Sequence, residues 1–306
     1  MNPAMAITLA VLAAILTATL ILRPHLHNRL RRELAPERST DGERPQDFGL
    51  PAEECWLHGH NGKQLFAWHA AQPSADNPKQ QALTTVILLH GWGGNASHLL
   101  PLGAALHAAG YGVLLLESRN HGRSDEDSFS SMPRFAEDLG SAIDWLHKTP
   151  ASPPRQIALI GHSVGAAAAL LTASRRRDLA AVVSIAAFAH PESIMRRFLA
   201  ARRIPFIPFG WYALRYVERT IGHRFDQIAP ENTIRKTACP VLLVHGLEDD
   251  TVPPDDARHL LACSNRARLL LLAGDHERFA DIDTGISAVV EFLDEATGRR
   301  KTATTA

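Results

Sequence analysis

The pentapeptide Gly161-His162-Ser163-Val164-Gly165 sets one serine between two glycines. Gln156-Ile157-Ala158-Leu159-Ile160 before it reads as a short apolar strand. Ala166-Ala167-Ala168-Ala169-Leu170-Leu171 after it is a run of strong helix formers. A serine on a tight strand-to-helix turn projects its hydroxyl from the sheet edge, beside the free N–H groups and positive dipole end of the helix. Glycines on both sides let the backbone turn sharply and let strand and helix approach closely. In that setting a serine hydroxyl serves as a nucleophile, provided a base stands ready to take its proton.

The elements that must position such a base come from periodicity. Residues 55–58 and 64–69 are strand-like runs flanking Gly59-His60-Asn61-Gly62, a hairpin signal. Buried-strand runs follow at 85–89, 113–116, 156–160, 182–185, 241–244 and 268–272. Helical patterns lie at 97–109, 132–147 and 285–295, and Gly110 is a C-cap candidate for the first. Nearly all-apolar strands alternating with helices predict an α/β fold with a mostly parallel central sheet covered by helices on both faces. In open sheets of this kind the site lies beyond the carboxyl ends of the strands. Polar or glycine-rich turns follow four of these strands: His90-Gly91-Trp92-Gly93-Gly94, Gly161-His162-Ser163, His245-Gly246-Leu247-Glu248-Asp249 and Gly274-Asp275-His276.

From residue 51 to the last helix, the chain resembles the α/β-hydrolases. His90-Gly91-Trp92-Gly93-Gly94 resembles the family's His-Gly oxyanion turn. Glu117-Ser118-Arg119-Asn120-His121-Gly122-Arg123-Ser124 is similar to its Asp-x-Arg-x-His-Gly-x-Ser turn, with Glu for Asp. The stretch from His245 through Asp249 to Val252-Pro253 resembles the turn carrying the acid, and Gly274-Asp275-His276-Glu277-Arg278-Phe279 the turn carrying the histidine. The order Ser163, Asp249, His276 is the family's order.

The resemblance implies a set of roles. Ser163 is the nucleophile, His276 the general base and then acid, and Asp249 the carboxylate that orients the imidazole. The backbone N–H groups of Val164 and Trp92 form the oxyanion hole. Glu248 and Asp250 flank Asp249, and the spacing to Val252-Pro253 favours Asp249. His162 is expected to line the pocket, His90 and His245 to be structural, and Glu117, Arg119, His121 and Ser124 to hold their own turn. His58, His60 and His69 are expected on the hairpin surface. The implied activity is a serine hydrolase cleaving carboxylic esters through an acyl-enzyme. Thioesterase, peptidase and non-catalytic binding roles are the alternatives. A serine at position 163 argues against the haloalkane and epoxide branches, which use aspartate there. Neither a metal nor an organic cofactor is expected.

Residues 4–22 carry no charge and as a helix would extend about 28 Å, close to the hydrocarbon thickness of a bilayer. Arg23, Arg29, Arg31 and Arg32 follow. These features predict a single-pass membrane anchor over residues 1–22, with lipid as a partner and the remaining chain on the cytoplasmic side; an uncleaved export anchor and an interfacial helix are the alternatives. Residues 23–49 read as a basic flank and polar linker, 50–298 as the hydrolase domain, and 299–306 as a disordered tail.

Residues 190–237 interrupt the strand–helix alternation. They are rich in apolar and aromatic side chains, interleaved with Arg196, Arg197, Arg202, Arg203, Arg215 and Arg219, and Pro205 and Pro208 divide them. The segment reads as a lid of two helices, an apolar cover that implies a hydrophobic or acyl ester substrate. Contact with anionic lipid head groups is a further expectation for it. The 306 residues balance 32 basic against 32 acidic side chains, which gives no pull toward nucleic acid. Cys55, Cys239 and Cys263 are too few and too scattered for a disulfide framework or a metal site.

Overall fold

The described residues of the computed structural model are 5, 7, 17, 23–73, 84–149 and 154–299. Among them, eight strands form one sheet: β1 (Glu53–His58), β2 (Gln64–Ala70), β3 (Thr84–Leu89), β4 (Gly112–Leu116), β5 (Gln156–His162), β6 (Leu179–Ile185), β7 (Val241–Gly246) and β8 (Ala267–Leu272). Their spatial order is β1-β2-β4-β3-β5-β6-β7-β8. β1 and β2 pair antiparallel, as do β2 and β4, and every later pairing is parallel. The turn between β1 and β2 has Asn61 at φ 56° and Gly62 at φ 72°, left-handed values that an Asn-Gly pair tolerates.

The continuous apolar runs have a direct cause. In β3, Ile87 and Leu89 pack on one face with Phe135, Leu139 and Ile143, and with Leu170. Val86 and Leu88 pack on the other with Leu100, Leu106, Phe292 and Leu293. The first face is covered by α3 (Met132–Lys148) and α4 (Val164–Arg175), the second by α2 (Leu100–Ala108) and α10 (Ile282–Thr297). Each parallel strand is buried on both sides, so side-chain alternation leaves no polar row.

Between β6 and β7 the chain leaves the sheet for α5 (Pro191–Ala201), α6 (Trp211–Ile221), α7 (Phe225–Ile228) and α8 (Pro230–Thr233); α9 (Pro254–Ala262) then links β7 to β8. Pro205 and Pro208 fall in the break between α5 and α6, which proline's missing N–H enforces.

The N-terminal expectations need correction. Most of residues 4–22 lie outside the described residues. Among the described residues no helix is long and apolar enough to cross a membrane, which overturns the membrane-anchored localisation and gives no support to lipid as a partner, while the expected transmembrane element itself falls outside the described residues. What is described is α1, residues 23–33, and it packs on protein. His27 Nε2 lies 2.7 Å from the Tyr212 hydroxyl, its ring stacks on Tyr216 at 4.2 Å, and Arg31 donates to the Tyr216 hydroxyl at 3.1 Å.

The segment read as a linker is also fastened to the body. Arg38 Nη2 donates to the carbonyls of Gly122 and Ser124, and Asn95 Nδ2 donates to those of Ser39 and Asp41. At the other end, Arg299 donates to the carbonyls of Gly110 and Ala109, so the expected tail is held at its first residue; residues 300–306 lie outside the described residues.

Candidate active site

Ser163 joins β5 to α4 with φ 54° and ψ −116°, a backbone region that costs a non-glycine residue about 1–3 kcal/mol and persists only where the surroundings impose it. Here they do. A Cβ on Gly161 would lie 2.3 Å from the Gly165 carbonyl carbon, and one on Gly165 would lie 2.4 Å from the His90 carbonyl oxygen. Both glycines are therefore required for strand, helix and the neighbouring His90–Gly94 turn to meet. The Ser163 N–H donates to Ile185 O at 2.8 Å, which ties the elbow to the end of β6.

Two distant turns complete the arrangement. His276 Nε2 lies 3.0 Å from Ser163 Oγ, and His276 Nδ1 lies 2.7 Å from Asp249 Oδ2. A carboxylate only accepts, so Nδ1 carries the imidazole proton and Nε2 presents a lone pair to the serine hydroxyl. Asp249 is 3% exposed, and its second oxygen accepts from the N–H groups of Thr251 and Val252 at 2.9 and 2.8 Å. These bonds fix the carboxylate plane before any charge develops on the imidazole. Glu248 bonds instead to the backbone of Gly274, and Asp250 is exposed.

Comparison with known proteins places this arrangement in context. Residues 80–218 match the family model described as serine aminopeptidase, S33. The uncharacterized protein YfhR of Escherichia coli (strain K12) is 27% identical over 229 residues, covering 74% of this chain and 73% of that one. The Pyrococcus furiosus esterase Pf2001 superposes with a TM-score of 0.68 at 20% identity, over 86% of this chain and 97% of that one. The ferulic-acid-bound Est1E of Butyrivibrio proteoclasticus gives 0.66 at 21% identity, over 80% and 99%. The chain has the α/β-hydrolase fold.

The remaining expected residues fall around the serine in distinct ways. Val164 is the first residue of α4, where its N–H has no acceptor within the helix. The Trp92 turn abuts the elbow, since a Cβ on Gly91 would lie 3.3 Å from Ser163 Cβ. The Trp92 side chain is 42% exposed. His90 is buried; its Nε2 accepts from Ser118 N–H at 3.1 Å, and its Nδ1 donates to Gly91 O at 2.7 Å. Burial, and then the neighbouring His121, hold it well below the ordinary histidine range.

Arg119 does not stay within its own turn. It is 1% exposed and reaches Asp138 on α3 through Nε and Nη2 at 2.8 and 2.6 Å. Ser124 Oγ donates to Glu117 O at 2.7 Å within the turn and also accepts from the Phe66 N–H of β2 at 2.8 Å. His121 donates from Nδ1 to Arg119 O, and burial pushes its pKa down to about 4. His69 packs edge-on against Trp145 at 5.5 Å and so is half-covered, unlike exposed His58 and His60.

Two contacts escaped the sequence. His162 Nε2 lies 2.8 Å from the His276 carbonyl oxygen, so this residue fastens the turn that carries the imidazole. His245 Nε2 lies 2.7 Å from Val252 O and 3.2 Å from Asp249 Oδ2, the same carboxylate oxygen that His276 Nδ1 meets. Only its four-residue spacing from Asp249 hinted at this. One grouping of potential metal donors occurs among the described residues: ring nitrogens of His162 and His276 with a Glu277 carboxylate oxygen, all within 4.8 Å of one another. Burial lowers the basicity of His162, and Glu277 opposes that effect.

Proposed function

We propose that this protein is a serine hydrolase of carboxylic esters acting through an acyl-enzyme, with Ser163, His276 and Asp249 as its triad. The observation that carries the reading is the continuous hydrogen-bonded path from Ser163 Oγ through the imidazole to Asp249, on an elbow whose backbone is held in a costly conformation. Oγ attacks the ester carbonyl while His276 Nε2 takes its proton, and Asp249 stabilises the imidazolium. The N–H groups of Val164 and Trp92 receive the oxyanion, each donor contributing about 100- to 1000-fold in rate. Collapse of the intermediate expels the alcohol, protonated by His276. Water, deprotonated by the same imidazole, then releases the acid.

The insertion between β6 and β7 starts from the strand end that bonds Ser163. It exposes Phe198, Ile207, Phe209 and Trp211. This supports its reading as an apolar lid and favours a hydrophobic acyl group. A panel of p-nitrophenyl esters of rising chain length tests this: kcat/KM rises from acetate to medium chains, and no turnover of any ester by folded protein would defeat it.

One observation favours a second reading, an aminopeptidase. The exposed Glu277 carboxylate beside the His162 and His276 rings is placed to hold a substrate ammonium, and the matching family model is described as serine aminopeptidase. Aminoacyl p-nitroanilides separate the two: efficient cleavage that falls with Glu277→Gln would favour the peptidase.

A further inference from the structure

A large cleft of about 1820 Å³ lies between α1 and α6, and neither Ser163, Asp249 nor His276 lines it. Its polarity is graded. His27 meets Tyr212 and Tyr216, and Arg31 meets Tyr216, so α1 and α6 run in the same direction. Leu26, Phe209 and Trp211 therefore gather toward one end of the cleft, and Arg31, Arg219 and Arg224 toward the other, while Arg23 stands at the apolar mouth. Leu26, Phe209 and Trp211 are exposed by 42, 62 and 55%, a cost in water that an apolar occupant would remove.

Charge sharpens the choice of occupant. Five arginines line the cleft against one glutamate, in a chain whose charges balance overall. Glu218 is taken by Arg215 and Arg224 at 2.6 and 3.3 Å. Arg31 and Arg219 have no ion-pair partner among the described residues. The guanidiniums of Arg23 and Arg31, after burial, also lower the basicity of His27, which fits a positive field in the cleft.

We propose that the cleft between α1 and α6 binds a single-chain anionic amphiphile, a long-chain carboxylate, with its headgroup on Arg31 and Arg219 and its chain along Leu26, Phe209 and Trp211. Such an occupant matches both halves of the gradient: bidentate guanidinium–carboxylate bonds at one end and apolar burial at the other. The site is separate from the serine and does not depend on what Ser163 does. Because α6 forms one wall, occupancy would also change the packing of the β6–β7 insertion against α1.

Contact quenching by dibromostearate tests the proposal in the full chain, below the concentration at which the probe aggregates. The chain has five tryptophans, of which Trp211 lines the cleft and Trp92 lies by the serine. Quenching should survive Trp92→Phe and largely vanish in Trp211→Phe. The double variant Arg31→Gln, Arg219→Gln, whose side chains are exposed and whose fold should be unaffected, should bind at least ten-fold more weakly, and the methyl ester of the probe should not compete. Quenching that follows Trp92, unchanged affinity in the double variant, equal binding of the methyl ester, or an onset only with aggregation would each overturn it.

Discussion

His162 Nε2 stands 2.8 Å from the carbonyl oxygen of His276, and the two rings lie 5.0 Å apart. The residue before the elbow serine thus anchors the backbone of a turn 114 positions later. That bond makes the spacing between Ser163 Oγ and His276 Nε2 a property of two linked turns.

Loss of this tether should appear in the chemistry more than in binding. His162→Phe keeps a ring and removes the donor. Under the proposed mechanism kcat falls about ten- to a hundred-fold, since small misplacement of a base is costly, while KM changes little. His162→Gln, which retains an N–H donor, recovers part of the loss. Steady-state kinetics on a p-nitrophenyl ester check this, and wild-type kcat in His162→Phe would remove the tether from the account.

The two glycines of the elbow are not equivalent to the glycine inside α3. Gly165→Ala forces a methyl to within 2.5 Å of two backbone oxygens, those of His90 and Leu89, neither of which is free to swing away. A destabilisation above about 3 kcal/mol is expected, at the top of the range for overpacked cores. Gly140→Ala in the middle of α3 meets nothing within 4 Å and should be neutral or stabilising by up to about 1 kcal/mol. Urea unfolding of the pair distinguishes the two outcomes.

Much of this site was legible in the sequence because its parts sit on strand ends with local signatures. The elbow, the turn with Asp249 and the turn with His276 each follow an apolar run, and parallel strands put those ends at one edge. The sheet order was not legible, because β4 pairs between β2 and β3 through contacts that leave no periodicity. The same holds for the His162 tether, the His245–Asp249 contact and the stacking of His27 on Tyr216 across 189 positions. A single charge-free run at residues 4–22 likewise supported an anchor, and the packing of the basic α1 that follows it onto α6 left no sequence signal. The polar composition of residues 33–48 concealed a docked segment, since Arg38 satisfies its guanidinium on backbone carbonyls that no sequence pattern reveals.

The buried Arg119–Asp138 pair should behave as a structural unit. Asp138 also accepts from the Ser118 hydroxyl and Arg119 N–H at 2.5 and 2.9 Å. Asp138→Ala strands a guanidinium that is 1% exposed, and removing one partner of a buried pair typically costs about 3–5 kcal/mol. Chemical denaturation measures the cost, and a change below about 1 kcal/mol would show that Asp127 and Glu137 compensate.

Acidification should weaken the fold through His121. Its pKa is pushed down by burial to about 4, below that of an unfolded histidine. Between about pH 6.5 and 4 the unfolded chain therefore binds a proton that the native chain does not, and stability falls with pH across that window. At pH 5 the contribution is about 2 kcal/mol. Comparing unfolding midpoints at pH 7.5 and 5 for wild type and His121→Gln isolates it: the variant should show a shallower loss on acidification, and parallel losses would contradict the assignment.

The central claim is that Ser163 is an activated nucleophile, and covalent labelling with a fluorophosphonate probe tests it most directly. The account predicts that folded wild-type protein is labelled on the peptide containing Ser163, that Ser163→Ala is not labelled, and that His276→Gln is labelled far more slowly. Folded wild-type protein that resists the probe, or a Ser163→Ala variant that still takes it up, would contradict the account.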